Sequence, residues 1–254
     1  MTVDEARWSR YGVMARHVAP ANEVLLDLVG PTADRVLDVG AGIGTGLDAA
    51  RDRGWSAVGV DLAASQVAAA CRAGHRSAIG DAQELPFAAQ TFGAAISNFG
   101  VIFAPDPAAT AREAYRVLLD DGRFAFTTWL PGGWPGACRA ILAEALDNPA
   151  KPFATTLGEG DRAVGLLANA GFVDTDAVRS TLTWNFTDLD DAVQTLTTAA
   201  GGLRLLRDEA EARGVWEVAR SRLRGELAER CEARGDTLVL DDGYVAAVGR
   251  RAAG

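Results

Sequence analysis

A glycine-rich turn at residues 36–46 carries the residue types best suited to binding a small ligand. The segment reads Val-Leu-Asp-Val-Gly-Ala-Gly-Ile-Gly-Thr-Gly, an apolar run that holds Asp38 and then breaks into alternating glycines. This pattern predicts a strand that leads into a turn, where Gly40, Gly42 and Gly44 let the backbone approach a ligand closely. The dinucleotide-binding pattern needs a glycine at position 45, which is Thr45 here. An acid two residues before the first glycine suits an ammonium group better than a pyrophosphate.

A second acid follows an apolar run in the same way. Asp61 closes the run 57–60, 21 residues after Gly40, at the place where nucleoside-binding sheets put an acid. A carboxylate there can accept both ribose hydroxyls, and Leu62 can lie against one face of an adenine. The alternative is a solvated aspartate at the end of a strand. These residues do not by themselves identify the nucleoside-containing ligand.

The segment 80–87 distinguishes a nicotinamide dinucleotide from S-adenosylmethionine. It reads Gly-Asp-Ala-Gln-Glu-Leu-Pro-Phe. Together with the glycine turn, Asp61 and the segment 94–103, it resembles the ordered motifs of the class I S-adenosylmethionine-dependent methyltransferases over about residues 35–129. The resemblance is strongest to the small-molecule branch with a type 11 methyltransferase domain, which includes the ubiquinone and menaquinone biosynthesis methyltransferases.

The resemblance implies a set of donor-binding residues. Asp81 would accept a hydrogen bond from the adenine amino group, and the backbone N–H of Ala82 would donate to a ring nitrogen. Asn98 would contact the methionine end through its backbone carbonyl, and Phe99 would form a wall of the donor pocket. Asp38 would help to hold the ammonium group of the methionine moiety. The full predicted set is Asp38, Gly40, Gly42, Gly44, Asp61, Leu62, Asp81, Ala82, Asn98 and Phe99.

Methyl transfer from this donor depends chiefly on holding a nucleophile in line with an already activated methyl group. Orientation alone can contribute roughly 7–11 kcal/mol, and a general base typically adds about a hundred- to ten-thousand-fold. The candidate catalytic residues are His17, as a base, and Tyr11, as a group that closes over the donor pocket. A plain cap or surface role is the alternative for His17. His75, the other histidine, is expected to be a loop residue.

Apolar runs alternate with helical patterns from residue 35 onward and predict an α/β fold. Strands separated by helices of this length imply a parallel, doubly wound sheet, with its ligand site at the carboxyl ends of the strands. The resemblance implies a Rossmann-like sheet of seven strands, the last one antiparallel. The predicted strands lie at 36–39, 57–60, 76–79, 94–98 and 123–128, and the predicted helices at 22–29, 47–53, 65–73 and 107–118.

The second half of the chain is expected to add elements to this core. It predicts helices near 137–146 and 162–170, an extended segment at 173–186, and two charged helical segments within 188–234. The chain would then close with a strand at 238–240, a turn at 241–243 and a strand at 244–249. We expect one methyltransferase domain over 1–254. Its parts are an N-terminal helical cap at 1–30, a donor-binding core at 35–129, and substrate or lid elements at 130–160 and 188–234.

The amino-acid composition limits the kinds of binding partner that we expect. The formal net charge of −9 makes a nucleic-acid partner an unfavourable hypothesis, because affinity for phosphate backbones comes largely from Lys and Arg. The sequence contains no run of 18 apolar residues, so no membrane span is predicted. The three scattered cysteines support neither a disulfide framework nor a metal site. We expect a cytoplasmic enzyme with a small-molecule acceptor, and leave homodimerisation open.

The function predicted from these observations is methyl transfer to O, N or C of a small molecule, a natural-product or quinone-like metabolite. One rival is a tailoring enzyme, such as a cyclase, that binds S-adenosylmethionine without transferring its methyl group. A binding-only regulator is another. A nucleotide-binding oxidoreductase is a third, which Thr45 and the segment 80–87 oppose.

Overall fold

The computed structural model describes residues 11–30, 35–148 and 154–254. One mixed sheet runs through this part of the chain in the order β3-β2-β1-β4-β5-β8-β6, and β7 pairs with the first residues of β8. The strands are β1 (Arg35–Val39), β2 (Ser56–Asp61), β3 (Ser77–Ile79), β4 (Phe92–Ser97), β5 (Leu118–Trp129), β6 (Val173–Phe186), β7 (Glu232–Arg234) and β8 (Thr237–Arg250).

Strand direction confirms the predicted doubly wound sheet. The first five strands pair with one another in parallel, and β8 is antiparallel to both β5 and β6. The order reverses between β1 and β4, which opens a crevice at the carboxyl ends of these two strands. The short β7 is an eighth strand that the sequence pattern did not predict.

Helices cover both faces of the sheet. They are α1 (Tyr11–Val18), α2 (Ala21–Val29), α3 (Thr45–Asp52), α4 (Ala64–Arg72), α5 (Pro107–Val117), α6 (Trp134–Ala145), α7 (Arg162–Asn169), α8 (Leu189–Ala199), α9 (Gly201–Ala212) and α10 (Trp216–Arg230). Two short 3-10 helices lie at Val101–Phe103 and Ala154–Gly158. In the described part of the chain, no helix is long and apolar enough to cross a bilayer.

Two hydrophobic clusters hold these layers together. Successive residues of a strand point to opposite faces of the sheet, so Val36 joins one cluster and Leu37 the other. The cluster around Val36 includes the fully buried Leu25 of α2 and Trp134 of α6, whereas the cluster around Leu37 includes Leu167 of α7. Both faces of β1 are therefore buried, as its continuous apolar run requires.

The segment 188–234 differs from its prediction of two helices. It forms three helices and β7, because the chain becomes extended at Ala200 and a glycine follows the end of the next helix. Helix α9 begins at Gly201, and Gly214, with a φ of 71°, follows its end. A positive φ is unfavourable for residues with a Cβ, so glycine at that position stops the helix.

The turn predicted at 241–243 is wrong. These residues lie inside β8, where Asp241 pairs with Thr183 and Gly243 pairs with Thr181 of β6. The Thr183 hydroxyl also donates a hydrogen bond of 2.6 Å to the Asp241 carboxylate. Pairing with a long neighbouring strand outweighs the local turn preference of Asp-Asp-Gly.

Candidate functional site

The turn after β1 requires its first glycines for conformational and steric reasons. Gly40 has a φ of 76°, and a Cβ added there would lie 3.1 Å from Cα of Gly100. Its N–H donates to the carbonyl of Val60 at 2.8 Å, which ties the turn to β2. Gly42 has a φ of 55°, and its N–H donates to Asp61 Oδ2 at 2.8 Å. The turn therefore holds the carboxylate of the neighbouring strand in place.

A cavity opens at the carboxyl ends of the parallel strands. We call it the main cavity. Its lining comes from the turns that follow β1, β2, β3 and β4, which meet at one edge of the sheet. It brings together all of the predicted donor-binding residues except Asp38 and Gly44, namely Gly40, Gly42, Asp61, Leu62, Asp81, Ala82, Asn98 and Phe99.

Asp61 and Asp81 are each fixed by hydrogen bonds before any ligand is considered. Asp61 Oδ1 accepts from the N–H of Ala63 at 2.9 Å, while Oδ2 accepts from Gly42. Asp81 Oδ1 accepts from the backbone N–H of Gln83 at 2.9 Å and from its side-chain amide at 3.0 Å. A carboxylate offers about four acceptor sites, and Asp81 Oδ2 accepts only from the Gln83 amide at 3.3 Å, so it can accept a further hydrogen bond.

Gln83 is a positioning residue that the sequence pattern did not single out. Its amide donates to Asp81, and its Oε1 accepts from the N–H of Asp106 at 3.0 Å. Gln83 therefore joins the loop after β3 to the residue that caps α5. A single glutamine within the segment 80–87 gives no signal of this role in the sequence.

The same loop is anchored by an ion pair on α5. Glu113 accepts from the N–H of Leu85 at 2.7 Å, and Arg116 donates to the carbonyls of Leu85 and Phe87 at 3.0 and 2.8 Å. The hydrogen bond from Arg116 holds the pKa of Glu113 below its usual value, against the opposing effect of burial. Two charged side chains thus fix the backbone that carries Asp81.

The turn after β4 is held by a short chain of hydrogen bonds. Phe99 has a φ of 56°, and its N–H donates to the Thr127 hydroxyl at 2.7 Å. That hydroxyl donates to Asn98 Oδ1 at 2.9 Å, and the Asn98 amide donates to the carbonyl of Val18 at 2.9 Å. The Phe99 ring is buried and stacks on Trp129 with ring centroids 4.0 Å apart. Phe99 therefore borders the main cavity while its ring packs in the core.

Asp38 lines a smaller cavity beside the main one, which we call the side cavity. The two cavities share Gly40, Gly42 and Asn98. Burial raises the pKa of Asp38 to about 7, and the negative charge of Asp61 raises it further. In the described part of the chain, no basic side chain pairs with this carboxylate. It is thus a buried acid that would gain from a cationic ligand.

Gly44 is the predicted residue that borders neither cavity. It precedes α3 with a φ of 98°, and a Cβ there would lie 2.7 Å from the Cδ2 atom of His75. His75 lies in the loop before β3, as predicted, and its Nε2 is 3.2 Å from Asp48 Oδ1 on α3. Gly44 therefore makes room for a ring that packs under the turn.

The two candidate catalytic residues lie on α1. His17 stacks on Trp184 of β6, with ring centroids 4.7 Å apart. Burial lowers its pKa, and Asp191 opposes that change. Neutral His17 can accept a proton, but it does not line either cavity. Helix α1 begins at Tyr11, whose side chain falls outside the described residues, so its proposed role stays a prediction.

No group of three or more metal-ligating side chains occurs among the residues that the structure describes. The site therefore consists of backbone turns, three aspartates and amide side chains, arranged around two connected hollows. Carboxylates at three points along the strand ends can bind an ammonium group, a ribose diol and an exocyclic amine.

Comparisons with known proteins show a similarity that covers the donor-binding core. The family model described as a methyltransferase domain matches residues 37–126. An uncharacterised protein of Mycobacterium tuberculosis is 32% identical over 160 residues, covering 59% of this chain and 55% of that protein. The malonyl-[acyl-carrier protein] O-methyltransferase of Salmonella typhimurium is 31% identical over 147 residues, which is 57% of each chain. The chain spans about half the length of the curated relatives it matches.

A solved structure shows the same fold. The YcgJ protein from Bacillus subtilis covers 94% of this chain and 99% of its own, with a TM-score of 0.59 and 16% identity. The matched segment begins within β1 and ends within β5, so it contains every turn that lines the main cavity. Residues 37–126 are therefore similar to a methyltransferase domain, and the described chain shares its fold with the Bacillus protein.

Proposed function

We propose that this protein transfers a methyl group from S-adenosylmethionine to O, N or C of a small molecule. The observation that carries the proposal is the main cavity, where a glycine turn and two fixed carboxylates, Asp61 and Asp81, follow consecutive strands. A nicotinamide dinucleotide fits less well, because Thr45 occupies the position of the third glycine in its binding pattern.

The residues present fit this donor. At one end, Asp38 supplies a buried carboxylate without a basic partner in the described part of the chain. In the middle, Gly40 has a φ of 76° and no Cβ and lines the main cavity, so a ligand can lie against bare backbone. Asp61 would hold the ribose hydroxyls, and Asp81 with Ala82 would hold the adenine. When bound, the donor supplies a methyl group already activated by a sulfonium centre.

The protein's contribution is orientation and exclusion of water. Hydrogen bonds fix Asp61, Asp81 and Asn98 before binding, so little ordering is left to do when a ligand arrives. Correct orientation of two reacting groups is worth roughly 7–11 kcal/mol. No histidine lines either cavity within the described residues. The proposed mechanism therefore rests on proximity, and His17 is at most a secondary contributor.

The acceptor is proposed to be a natural-product or quinone-like metabolite, bound by elements at 130–160 and 188–234 next to the donor core at 35–129. Support comes from a chain of aromatic contacts that begins at the main cavity. Phe99 stacks on Trp129, Trp129 meets Trp134 at 6.1 Å, and Trp134 meets Trp184 at 5.4 Å between centroids. An apolar or aromatic acceptor would suit such surroundings. The Salmonella relative, by its name, methylates a carrier-bound malonyl group instead.

The test is a transfer assay with S-adenosylmethionine carrying a deuterated methyl group. The purified protein would be incubated with a panel of quinones, phenols, amines and carboxylic acids, and products followed by mass spectrometry. We expect a product heavier by one labelled methyl, and expect Asp61→Ala to abolish it. A product formed from the acceptor without the label, but only with donor present, would favour the cyclase-like alternative. If the wild-type protein consumes no S-adenosylmethionine with any acceptor of the panel, the proposal is contradicted.

A further inference from the structure

Asn22 is a buried polar side chain that the family motifs do not account for. It lies near the start of α2, is fully buried, and lines the side cavity together with Asp38. Its amide nitrogen donates to the Thr45 hydroxyl at 3.3 Å. Its carbonyl oxygen Oδ1 is buried and accepts no hydrogen bond from the described residues. A buried acceptor without a hydrogen bond is destabilising, so a ligand that donates there is favoured.

The Asn22 oxygen faces the same point as the Asp38 carboxylate. A Cβ added at Gly46 would collide with Asp38 Oδ2 and lie 3.1 Å from Asn22 Oδ1. Two acceptor oxygens from different elements, α2 and β1, therefore converge beside the first turn of α3. Glycine at position 46, which has no Cβ, lets both oxygens lie close to the backbone there.

The chemistry of this pair selects a small cation that can donate several hydrogen bonds. One oxygen carries a negative charge once Asp38 is ionised, and the other is neutral. A primary ammonium group has three N–H donors and one positive charge, so it satisfies both oxygens at once. A water molecule could also donate to both, but it would leave the carboxylate's charge uncompensated.

We propose that Asn22 Oδ1 and Asp38 together bind the ammonium group at the amino-acid end of the donor. The inference rests on the proposed function, because it assumes that S-adenosylmethionine occupies the main cavity and extends into the side cavity. It adds a residue on α2, outside the segment matched by the family model, to the donor site.

Calorimetry with two ligands tests the proposal without measuring activity. S-adenosylhomocysteine carries the ammonium group, whereas 5′-methylthioadenosine shares the nucleoside and sulfur but lacks the amino-acid end. For Asn22→Leu we expect an affinity for S-adenosylhomocysteine about 10- to 100-fold weaker, as for loss of a hydrogen bond to a charged group. We expect the affinity for 5′-methylthioadenosine to stay within about two-fold.

The control makes the same substitution at an exposed position of another helix. Asn169→Leu, at the end of α7, should leave both affinities unchanged. If Asn22→Leu fails to fold, Asn22→Ala removes the same oxygen and carries the same expectation.

The outcomes separate the two proposals. Wild-type protein that binds neither ligand would contradict the proposed function itself. Wild-type protein that binds both ligands, with an Asn22 variant that keeps its affinity for S-adenosylhomocysteine or loses affinity for both ligands equally, would overturn the assignment of Asn22 alone.

Discussion

Replacing Asp38 with asparagine removes a carboxyl group that the fold buries almost completely, with 2% of its surface exposed. Burial raises the pKa of Asp38 from 3.8 to about 7, with a further contribution from Asp61. Because the folded-state pKa is raised, the stability associated with the protonated carboxyl is fully present below pH 3.8. It is lost progressively as the pH rises to about 7. Asparagine cannot ionise, so the variant does not suffer this loss.

The magnitude follows from the size of the pKa change. Each pKa unit corresponds to 1.36 kcal/mol. A rise of roughly three units therefore limits the destabilisation of the fold by ionised Asp38 to about 4 kcal/mol at pH 8. At pH 5 the carboxyl is still protonated in the fold but mostly ionised in the unfolded chain, which leaves a penalty of about 1.5–2 kcal/mol. We therefore expect the stability advantage of Asp38→Asn to widen by about 2 kcal/mol between pH 5 and pH 8.

Urea unfolding at these two pH values measures the difference. The pH dependence is the informative quantity, because a new hydrogen bond between the asparagine amide and Asn22 would stabilise the variant equally at both values. Asp52→Asn makes the same change on the exposed surface of α3 and should show no such widening. The reasoning would be refuted if Asp38→Asn exceeded the wild type in stability by the same amount at pH 5 and pH 8. It would also be refuted if the wild type were more stable than the variant at pH 8.

Three further predictions concern the surroundings of the site. Gly46→Ala should weaken S-adenosylhomocysteine binding by about ten-fold or more in calorimetry, because its Cβ collides with Asp38, whereas Gly225→Ala, in open space on α10, should not. Arg116→Met should lower the free energy of unfolding in urea by about 1.5–3 kcal/mol, and an equal loss for the exposed Arg112→Met would count against the loop anchor. His17→Ala should retain most activity in the transfer assay; a loss above roughly a thousand-fold would identify it as a base.

The sequence predicts the core of the fold because its signals are local. The apolar run before Gly40 and the acid after the run 57–60 each mark the end of a parallel strand, and the structure has strands there. Because the parallel strands end at the same edge of the sheet, the turns that follow them lie together there. The motifs in those turns therefore predict most of the residues that line the main cavity. Parallel strands buried on both faces leave little freedom for other arrangements.

The elements that the sequence misses depend on contacts between distant residues. The Asp-Asp-Gly segment at 241–243 has a local turn preference, but pairing with β6 keeps it extended. Gln83 and Asn22 have no distinctive spacing, because their roles depend on partners such as Asp106 and Asp38 that only the fold brings near. Homodimerisation, the division into functional segments and the acceptor itself stay predictions.

The central claim is that S-adenosylmethionine binds along the ends of β1, β2 and β3. Calorimetric titration of S-adenosylhomocysteine into wild-type protein, Asp61→Ala and Asp81→Ala tests it most directly. We predict one binding site per chain in the wild type and an affinity about ten-fold or more weaker in each variant, because each loses a charged acceptor. Unchanged affinity in both variants, or no binding by the wild type, would contradict the account.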